Sequence, residues 1–281
     1  MRWAALTAAS FTLSAVLLAG CGESTAAHPE DETLSGRLVL TGSSTIAPLA
    51  GEIAKAFEER YPGARVDVQS GGSSQGIADI RRGTADVGMV SRALSSTEDD
   101  LDAWPIAMDG IALIVHRDNP VRVLPRETVI DIFTGEIRDW ESVGGMDRAI
   151  TVVNKAEGRS TLELFLEHFE LTSADIRADV VIGENQQGIR SVAGNQGAIG
   201  YVSIGTAAFE AARGTPIRLL PLDGVEAANE TVASGAYPLA RPLNLVTQGE
   251  RSPLADAFLE FAASAEIHPL VEGQSFVPLA K

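Results

Sequence analysis

Apolar residues recur with two different periods along the chain, and the change between these periods predicts an α/β protein. An apolar residue at every fourth position predicts a helix over 48–60, and strict alternation predicts a strand over 64–68. Apolar runs predict further strands over 37–41 and 85–90, and another helix is expected to begin at Gly76. This β-α-β-α-β order implies a parallel sheet with right-handed crossovers.

The pattern starts again after Gly110–Val115, a continuous apolar run that predicts a central strand. The elements predicted after it are helices over 126–133, 161–169, 186–193 and 252–263 and strands over 150–153, 179–182 and 198–202. We expect two lobes, each a mostly parallel sheet flanked by helices, with a ligand cleft between them that closes by hinge motion. Lobe 1 is predicted to comprise residues 36–116 and 237–281, and lobe 2 residues 117–236, with the first boundary near 116–120.

The N-terminus is typical of an exported lipoprotein. A single arginine precedes an almost uncharged run over residues 3–18, which is short for a membrane span and suits a signal peptide. The following Leu-Ala-Gly-Cys resembles a bacterial lipobox and predicts removal of residues 1–20 and a lipid on Cys21. Residues 21–35 are small and polar and predict a flexible tether. We expect a lipid-anchored protein on the extracytoplasmic side of a cell membrane, periplasmic or at the cell surface; the alternative is an ordinary signal peptide with an incidental cysteine.

Charge and composition exclude several kinds of partner. The formal net charge is −16 and aromatic residues make up 5% of the chain. Nucleic-acid binding rests on basic side chains that neutralise phosphates, so we expect no nucleic-acid partner. The histidines at positions 28, 116, 168 and 268 lack metal-site spacing, and the acidic run at 99–102 is expected to be a solvated loop. We therefore expect neither a metal nor a cofactor.

Three predicted strand-to-helix turns are rich in hydroxyl groups, at residues 41–49, 70–77 and 157–164. In parallel α/β sheets, ligands bind beyond the carboxyl ends of the strands, where such turns lie. Each turn also offers the free backbone N–H groups and the positive dipole end of a helix, which favour an anion. The three turns together predict an anion-binding cleft.

The third turn allows two interpretations. Ser160 followed by Glu163 fits a capping box, in which the serine serves only its own helix. However, Lys155 and Arg159 lie on the same turn, and a cap needs neither of them. Two cations beside free N–H groups favour an anion site over a simple cap.

An enzyme is the main rival to a binding protein. Residues 72–76 match G-x-S-x-G between a strand and a helix, which is the context of a hydrolase nucleophile at Ser74, with His268 and Asp256 as partners. The serine would follow only the second strand, and the chain contains no HGGG-type oxyanion loop. We therefore expect a protein that is not an enzyme.

Several motifs, in this order, resemble the phosphate-binding lipoproteins of bacterial ABC importers. They are LTGSSTIAPL, ADVGMVSRAL, MDGIALIV, GEIRDW and GAIGYVSIG, followed by YPLARPLNLVT as a return strand. The resemblance implies a type II periplasmic-binding fold with one oxyanion buried between two lobes. It further implies a monomeric receptor that passes inorganic phosphate to the permease subunits in the membrane.

The resemblance also implies phosphate ligands. These are Ser44, Thr45, Ser73, Ser91, Arg92, Asp109 and Thr161. The third turn itself adds Lys155, Arg159 and Ser160 as expected ligands. Arg92 would bind phosphate oxygens in bidentate fashion, and Asp109 would accept a hydrogen bond from protonated phosphate and repel sulfate.

The third turn departs from the family pattern R-x-x-G-S-G-T. Lys155 stands for the first arginine, Arg159 replaces the serine, Ser160 replaces the glycine, and Thr161 matches. Lysine does not reproduce the bidentate pairing of arginine. The departure leaves arsenate or another tetrahedral oxyanion open as the ligand. A phosphate-sensing role without transport is also open.

Overall fold

A computed structural model describes residues 34–279. The predicted signal peptide, Cys21 and most of the predicted tether lie outside these residues. The strands in the described range are β1 (Ser35–Gly42), β2 (Gly63–Ser70), β3 (Val87–Val90), β4 (Asp102–His116), β5 (Thr151–Lys155), β6 (Val180–Ile182), β7 (Ala198–Ser203), β8 (Ile217–Leu219) and β9 (Ala240–Thr247). β1 begins at the last residue of the predicted tether, and β4 begins inside the predicted acidic loop, so both strands are longer than expected.

The α-helices of the described range are α1 (Ala47–Arg60), α2 (Ser73–Arg81), α3 (Arg126–Thr134), α4 (Ser160–Phe169), α5 (Asn185–Ala193), α6 (Ile204–Ala212), α7 (Asn229–Ala233), α8 (Pro253–Ala262) and α9 (His268–Gly273). α6, α7 and α9 were not predicted. α8 corresponds to the helix that was predicted as the last one, and α9 follows it. None of the helices between residues 34 and 279 combines the length and apolar character that crossing a bilayer requires.

The strands form one sheet in the order β2-β1-β3-β9-β4-β7-β5-β6, and β8 pairs with β4. The two ends of the sheet are parallel: β1 pairs with β2 and β3, and β5 pairs with β6 and β7. The centre is antiparallel, because β9 runs against both β3 and β4. The predicted α/β architecture is confirmed, with a more strongly mixed sheet than the sequence pattern indicated.

β4 joins the two halves of the sheet. Its first part pairs with β9 as far as Gly110, and from Ile111 it pairs with β7. The change of partners thus lies inside the strand, ahead of the predicted boundary near 116–120. A Cβ on Gly110 would lie 2.6 Å from the Ile204 side chain, so the strand passes α6 closely at this point.

Each half of the sheet has its own apolar core. In the first, Phe57 of α1 meets Phe258 of α8 edge-on at 5.2 Å between ring centroids. In the second, Phe165 of α4 stacks on Tyr201 of β7 at 3.9 Å. The C-terminal helix α8 therefore packs on the N-terminal half.

Candidate anion-binding site

Polar side chains from both halves of the sheet meet in one buried cluster. The anion-site cluster comprises Thr45, Ser73, Ser91, Asp109, Lys155, Thr161, Asn185 and Arg241, all of them buried. Four members lie at the starts of helices: Thr45 at α1, Ser73 at α2, Thr161 at α4 and Asn185 at α5. The other four belong to strands: Ser91 follows β3, Asp109 lies within β4, Lys155 ends β5 and Arg241 lies within β9. The three predicted turns therefore converge, as a shared anion site requires.

Arg241 of β9 lies at the centre of the cluster, with 1% of its surface exposed. Its Nη1 donates to Thr161 Oγ1 at 3.0 Å and to Ser91 Oγ at 3.3 Å. Its Nη2 donates to Thr45 Oγ1 at 3.2 Å. One guanidinium thus connects hydroxyl groups that belong to opposite halves of the protein.

Sequence reasoning missed Arg241, because the return strand was noted only as a strand. The available signal was an arginine inside an otherwise apolar β-run, LARPLNLVT. A buried guanidinium needs charged and hydrogen-bonded partners, so an arginine in such a run indicates a polar site in the interior.

Asp109 of β4 is the counter-ion of Arg241. Its Oδ2 accepts from Arg241 Nη2 at 3.0 Å and from Nε at 3.3 Å, and its Oδ1 accepts from the backbone N–H of Gly205 at 3.1 Å. Burial lowers the pKa of the Arg241 guanidinium, and the Asp109 carboxylate opposes that shift. Both carboxylate oxygens are thus engaged by the protein, whereas the sequence interpretation gave Asp109 to a protonated anion.

Lys155 and Asn185 connect the two halves a second time. Lys155 Nζ donates to Asn185 Oδ1 at 2.8 Å, and Asn185 Nδ2 donates to Thr45 Oγ1 at 3.1 Å. Burial, together with the nearby Arg241, lowers the pKa of Lys155 to about 7, while Glu184 acts in the opposite direction. Asn185 was not predicted, because an asparagine at a helix start is common for local reasons alone.

The capping-box interpretation of the third turn is wrong. Arg159 occupies the N-cap position of α4 without a side-chain cap, and Ser160 is the first helical residue. Ser160 Oγ is buried and finds no hydrogen-bond partner among residues 34–279. Arg159 Nη1 donates to Glu184 Oε1 at 3.1 Å. A buried hydroxyl without a partner is unfavourable, so Ser160 is available to a ligand.

Arg92 is engaged by carboxylates. Its Nη1 and Nη2 donate to Glu98 at 2.7 and 2.8 Å, and its Nε donates to Glu163 Oε2 at 2.7 Å. The hydrogen bonds from Arg92 lower the pKa of Glu98 to about 2, and Glu98 raises that of Arg92. The bidentate partner of Arg92 is therefore Glu98, where the sequence interpretation placed an anion. Ser44 is half-buried and lies outside the cluster, on a groove of about 300 Å³ that Asn185 also lines.

The turns before α2 and α4 touch at the rim of the cluster. Ser74 Oγ donates to Glu163 Oε1 at 3.0 Å, and Ser74 N donates to Gly158 O at 3.3 Å. Gly72 has φ +103°, and a Cβ there would lie 2.6 Å from Gly158 O, so this contact between the two turns requires glycine at position 72.

The contacts at the rim also bear on the hydrolase alternative. Ser74 donates to a carboxylate, and Asp256 accepts from Arg251 Nε, so neither makes the histidine contact that a catalytic triad needs.

Comparisons with known proteins find similar sequences over most of the chain. The PBP superfamily domain matches residues 27–266. Phosphate-binding protein PstS of Bacillus subtilis is 30% identical over 98% of this chain and 92% of its own length. PstS of Pseudomonas aeruginosa is 27% identical over 88% of this chain and 84% of its own. The matched residues include every member of the anion-site cluster.

Solved structures give the same result. A protein described as the substrate-binding protein of a phosphate ABC transporter from Clostridium perfringens, with bound phosphate, has a TM-score of 0.81 at 30% identity, covering 87% of this chain and 100% of that chain. An ABC-type phosphate transport receptor from Vibrio cholerae has a TM-score of 0.71 at 27% identity, covering 86% of this chain and 100% of its own.

Proposed function

The chain belongs to the PBP superfamily and, within it, to the phosphate-binding proteins of bacterial ABC importers, and we propose that it captures inorganic phosphate outside the cytoplasmic membrane and delivers it to an ABC permease. On this proposal it is a receptor and not an enzyme. It acts as a monomer that Cys21 anchors to the membrane through a lipid.

The buried convergence of two cations and several hydroxyls carries the proposal. Arg241 and Lys155 lie in the same cluster with one carboxylate, Asp109, so the cluster carries a net positive charge when Lys155 is protonated. An anion would accept hydrogen bonds from Lys155, Thr45 and Thr161. The positive charge of Arg241, whose N–H groups are donated to Asp109 and to hydroxyl groups of the cluster, would attract it. Hydrogen bonds to a charged partner are about twice as strong as neutral ones.

The acidity of the whole chain does not oppose this function. A formal charge of −16 repels anions at long range, but at physiological salt the Debye length is only about 8 Å. The field at the surface is therefore largely screened, and short directional donors inside the closed site determine binding.

The altered third turn favours a test of neighbouring oxyanions. Lys155 offers a compact ammonium where the family has a planar guanidinium, so it fixes the orientation of an anion less strictly. Arsenate has the shape and protonation of phosphate and is the closest alternative ligand. Both anions therefore belong in the same titration series.

Calorimetric titration of the purified protein tests the proposal. We expect phosphate to bind with a dissociation constant of about 1 μM or tighter, and the Thr45→Val/Thr161→Val variant, which keeps side-chain shape but loses both hydroxyls, to bind far more weakly. Absence of heat with phosphate would contradict phosphate capture, and preference for arsenate would reassign the ligand.

Transport requires a separate experiment. Deletion of the gene should reduce phosphate uptake by intact cells, and the full-length gene should restore it. Phosphate binding in vitro with unchanged uptake after deletion would instead indicate a sensing role.

A further inference from the structure

Asn185 uses both ends of its amide to join the two halves of the protein. The residue is the first of α5 and has 3% of its surface exposed. Its Oδ1 accepts from Lys155 Nζ, and its Nδ2 donates to Thr45 Oγ1. A side-chain amide can accept from an ammonium and donate to a hydroxyl at the same time.

The contact with Thr45 determines what that hydroxyl can do. Thr45 Oγ1 accepts from Asn185 Nδ2 at 3.1 Å and from Arg241 Nη2 at 3.2 Å. A hydroxyl has two acceptor lone pairs and one proton to donate. Because both lone pairs are occupied, the Thr45 proton must point to a further acceptor, and an anion oxygen is such an acceptor.

The contact with Lys155 determines where the positive charge lies. Within the described chain, Asn185 Oδ1 is the one hydrogen-bond partner of Lys155 Nζ, and an ammonium has three N–H groups. Two of them are therefore open to a ligand.

The charged groups that act on the Lys155 ammonium come from three segments of the chain. They are Glu184 before α5, Arg159 before α4 and Arg241 of β9. Two of these three groups are positively charged, so the amide oxygen of Asn185 is the main local anchor of the ammonium.

The start of α5 does not need the Asn185 side chain. Gln187 Oε1 accepts from the backbone N–H groups of Gly183 and Glu184 at 2.9 and 3.1 Å, which holds the turn before the helix. The side chain of Asn185 instead points into the cluster, and it also lines the groove of about 300 Å³ that reaches the surface beside Ser44.

We propose that Asn185 is a positioning residue of the anion site, which holds the Lys155 ammonium in place and directs the Thr45 hydroxyl proton towards the bound oxyanion. The inference rests on the proposed function, because phosphate is the ligand used to test it. Asn185 acts through Lys155 and Thr45, and sequence analysis did not identify it.

Two substitutions of Asn185 separate positioning from simple structural support. Asn185→Leu has similar volume and removes both hydrogen bonds, whereas Asn185→Asp keeps an acceptor for Lys155 and loses the donor to Thr45. A carboxylate in the first turn of a helix is favourable for the fold, so the aspartate variant should remain stable. Phosphate affinity is measured as a function of pH for each protein and for the same protein with Lys155→Met added. The difference between the two profiles of such a pair reports the ionisation of Lys155 alone, because the ionisation of phosphate contributes equally to both.

We expect Asn185→Leu to weaken phosphate binding by roughly ten- to a hundredfold, the range for hydrogen bonds that involve a charged group. The profile midpoint should move to lower pH in Asn185→Leu, because the ammonium loses its acceptor, and to higher pH in Asn185→Asp, because a carboxylate stabilises the ammonium. Unchanged midpoints, or an affinity of Asn185→Leu within about twofold of the unaltered protein, would overturn the positioning role while leaving phosphate capture intact. If the unaltered protein binds no phosphate, the proposed function fails and this inference fails with it.

Discussion

The substitution Arg241→Met tests whether one guanidinium organises the site. Methionine keeps most of the apolar stem but removes every hydrogen bond that Arg241 makes with Asp109, Ser91, Thr45 and Thr161. Both partners of the ion pair have side chains that are 1% exposed. The substitution therefore leaves a carboxylate buried without its counter-ion.

The expected cost follows from that isolated carboxylate. Removal of one partner of a buried ion pair destabilises a protein by about 3–5 kcal/mol. For a chain of this size, each kilocalorie lowers the thermal midpoint by about 2–4 °C, so we expect a decrease of roughly 6–20 °C. The double variant Arg241→Met/Asp109→Asn should recover a large part of this loss, because the uncompensated charge is gone. Phosphate affinity should fall by roughly ten- to a hundredfold in both variants, since the positive charge that attracts the anion and the hydrogen bonds that orient the hydroxyl groups are missing.

Urea unfolding followed by tryptophan fluorescence measures the free energy of unfolding, and calorimetry measures phosphate binding. Arg37→Met is the matched control, because Arg37 also pairs with an aspartate, Asp67, but its side chain is 67% exposed. That control should lose no more than about 1 kcal/mol and keep its phosphate affinity.

The reasoning on Arg241 has a clear point of failure. If Arg241→Met unfolds within about 1 kcal/mol of the unaltered protein and binds phosphate equally well, the Arg241–Asp109 pair neither stabilises the fold nor contributes to anion binding. A double variant no more stable than the single one would show that the cost did not arise from the uncompensated carboxylate.

Three further predictions concern the residues around the cluster. Ser160→Ala should leave the free energy of unfolding within about 0.5 kcal/mol of that of the unaltered protein, since the hydroxyl makes no cap. It should nevertheless weaken phosphate binding. A loss of stability near 1 kcal/mol would restore the capping interpretation. Glu163→Ala should speed phosphate release roughly threefold to tenfold in stopped-flow measurements, because Glu163 accepts hydrogen bonds from Ser74 and Arg92 across the rim. Glu167→Ala, one turn later on α4, is the control. Equal release rates for the two variants would show that the Glu163 contacts do not hold the site closed. The pKa of Lys155 is lowered from 10.5 to about 7 in the folded protein, so the unfolded chain binds more protons than the folded chain between these pH values. The free energy of unfolding should therefore rise with pH across that window, relative to the Lys155→Met variant. Parallel curves of stability against pH for the two proteins would argue against a neutral buried lysine.

Most of the fold was predictable because its signals are local. The apolar period of α1 lies within fourteen residues, and the alternation of β2 within eight, so neither needs a distant partner. The mixed centre of the sheet was not predictable in this way. β9 enters between β3 and β4, and that position depends on how a late segment packs on an early one.

The same distinction holds for the interpretation of charged residues. The family resemblance assigned Arg92 and Asp109 to the anion, and the structure places Arg92 shortly after β3 and Asp109 within β4. The carboxylates Glu98 and Glu163 engage Arg92, and Arg241 engages Asp109. Whether Arg92 and Asp109 also contact the anion stays a prediction.

By itself, the sequence determined most of the helices and strands, the hydroxyl-rich turns at the strand ends and the cations beside the third turn, because each depends on neighbours within a few residues. Only the tertiary structure decided that Arg241 meets Thr45 and Thr161 across 196 and 80 residues of chain, and that Asn185 bridges Lys155 and Thr45. Partners so distant are selected by the closure of the two halves on each other. A buried guanidinium or ammonium is stable only where that closure brings acceptors to it.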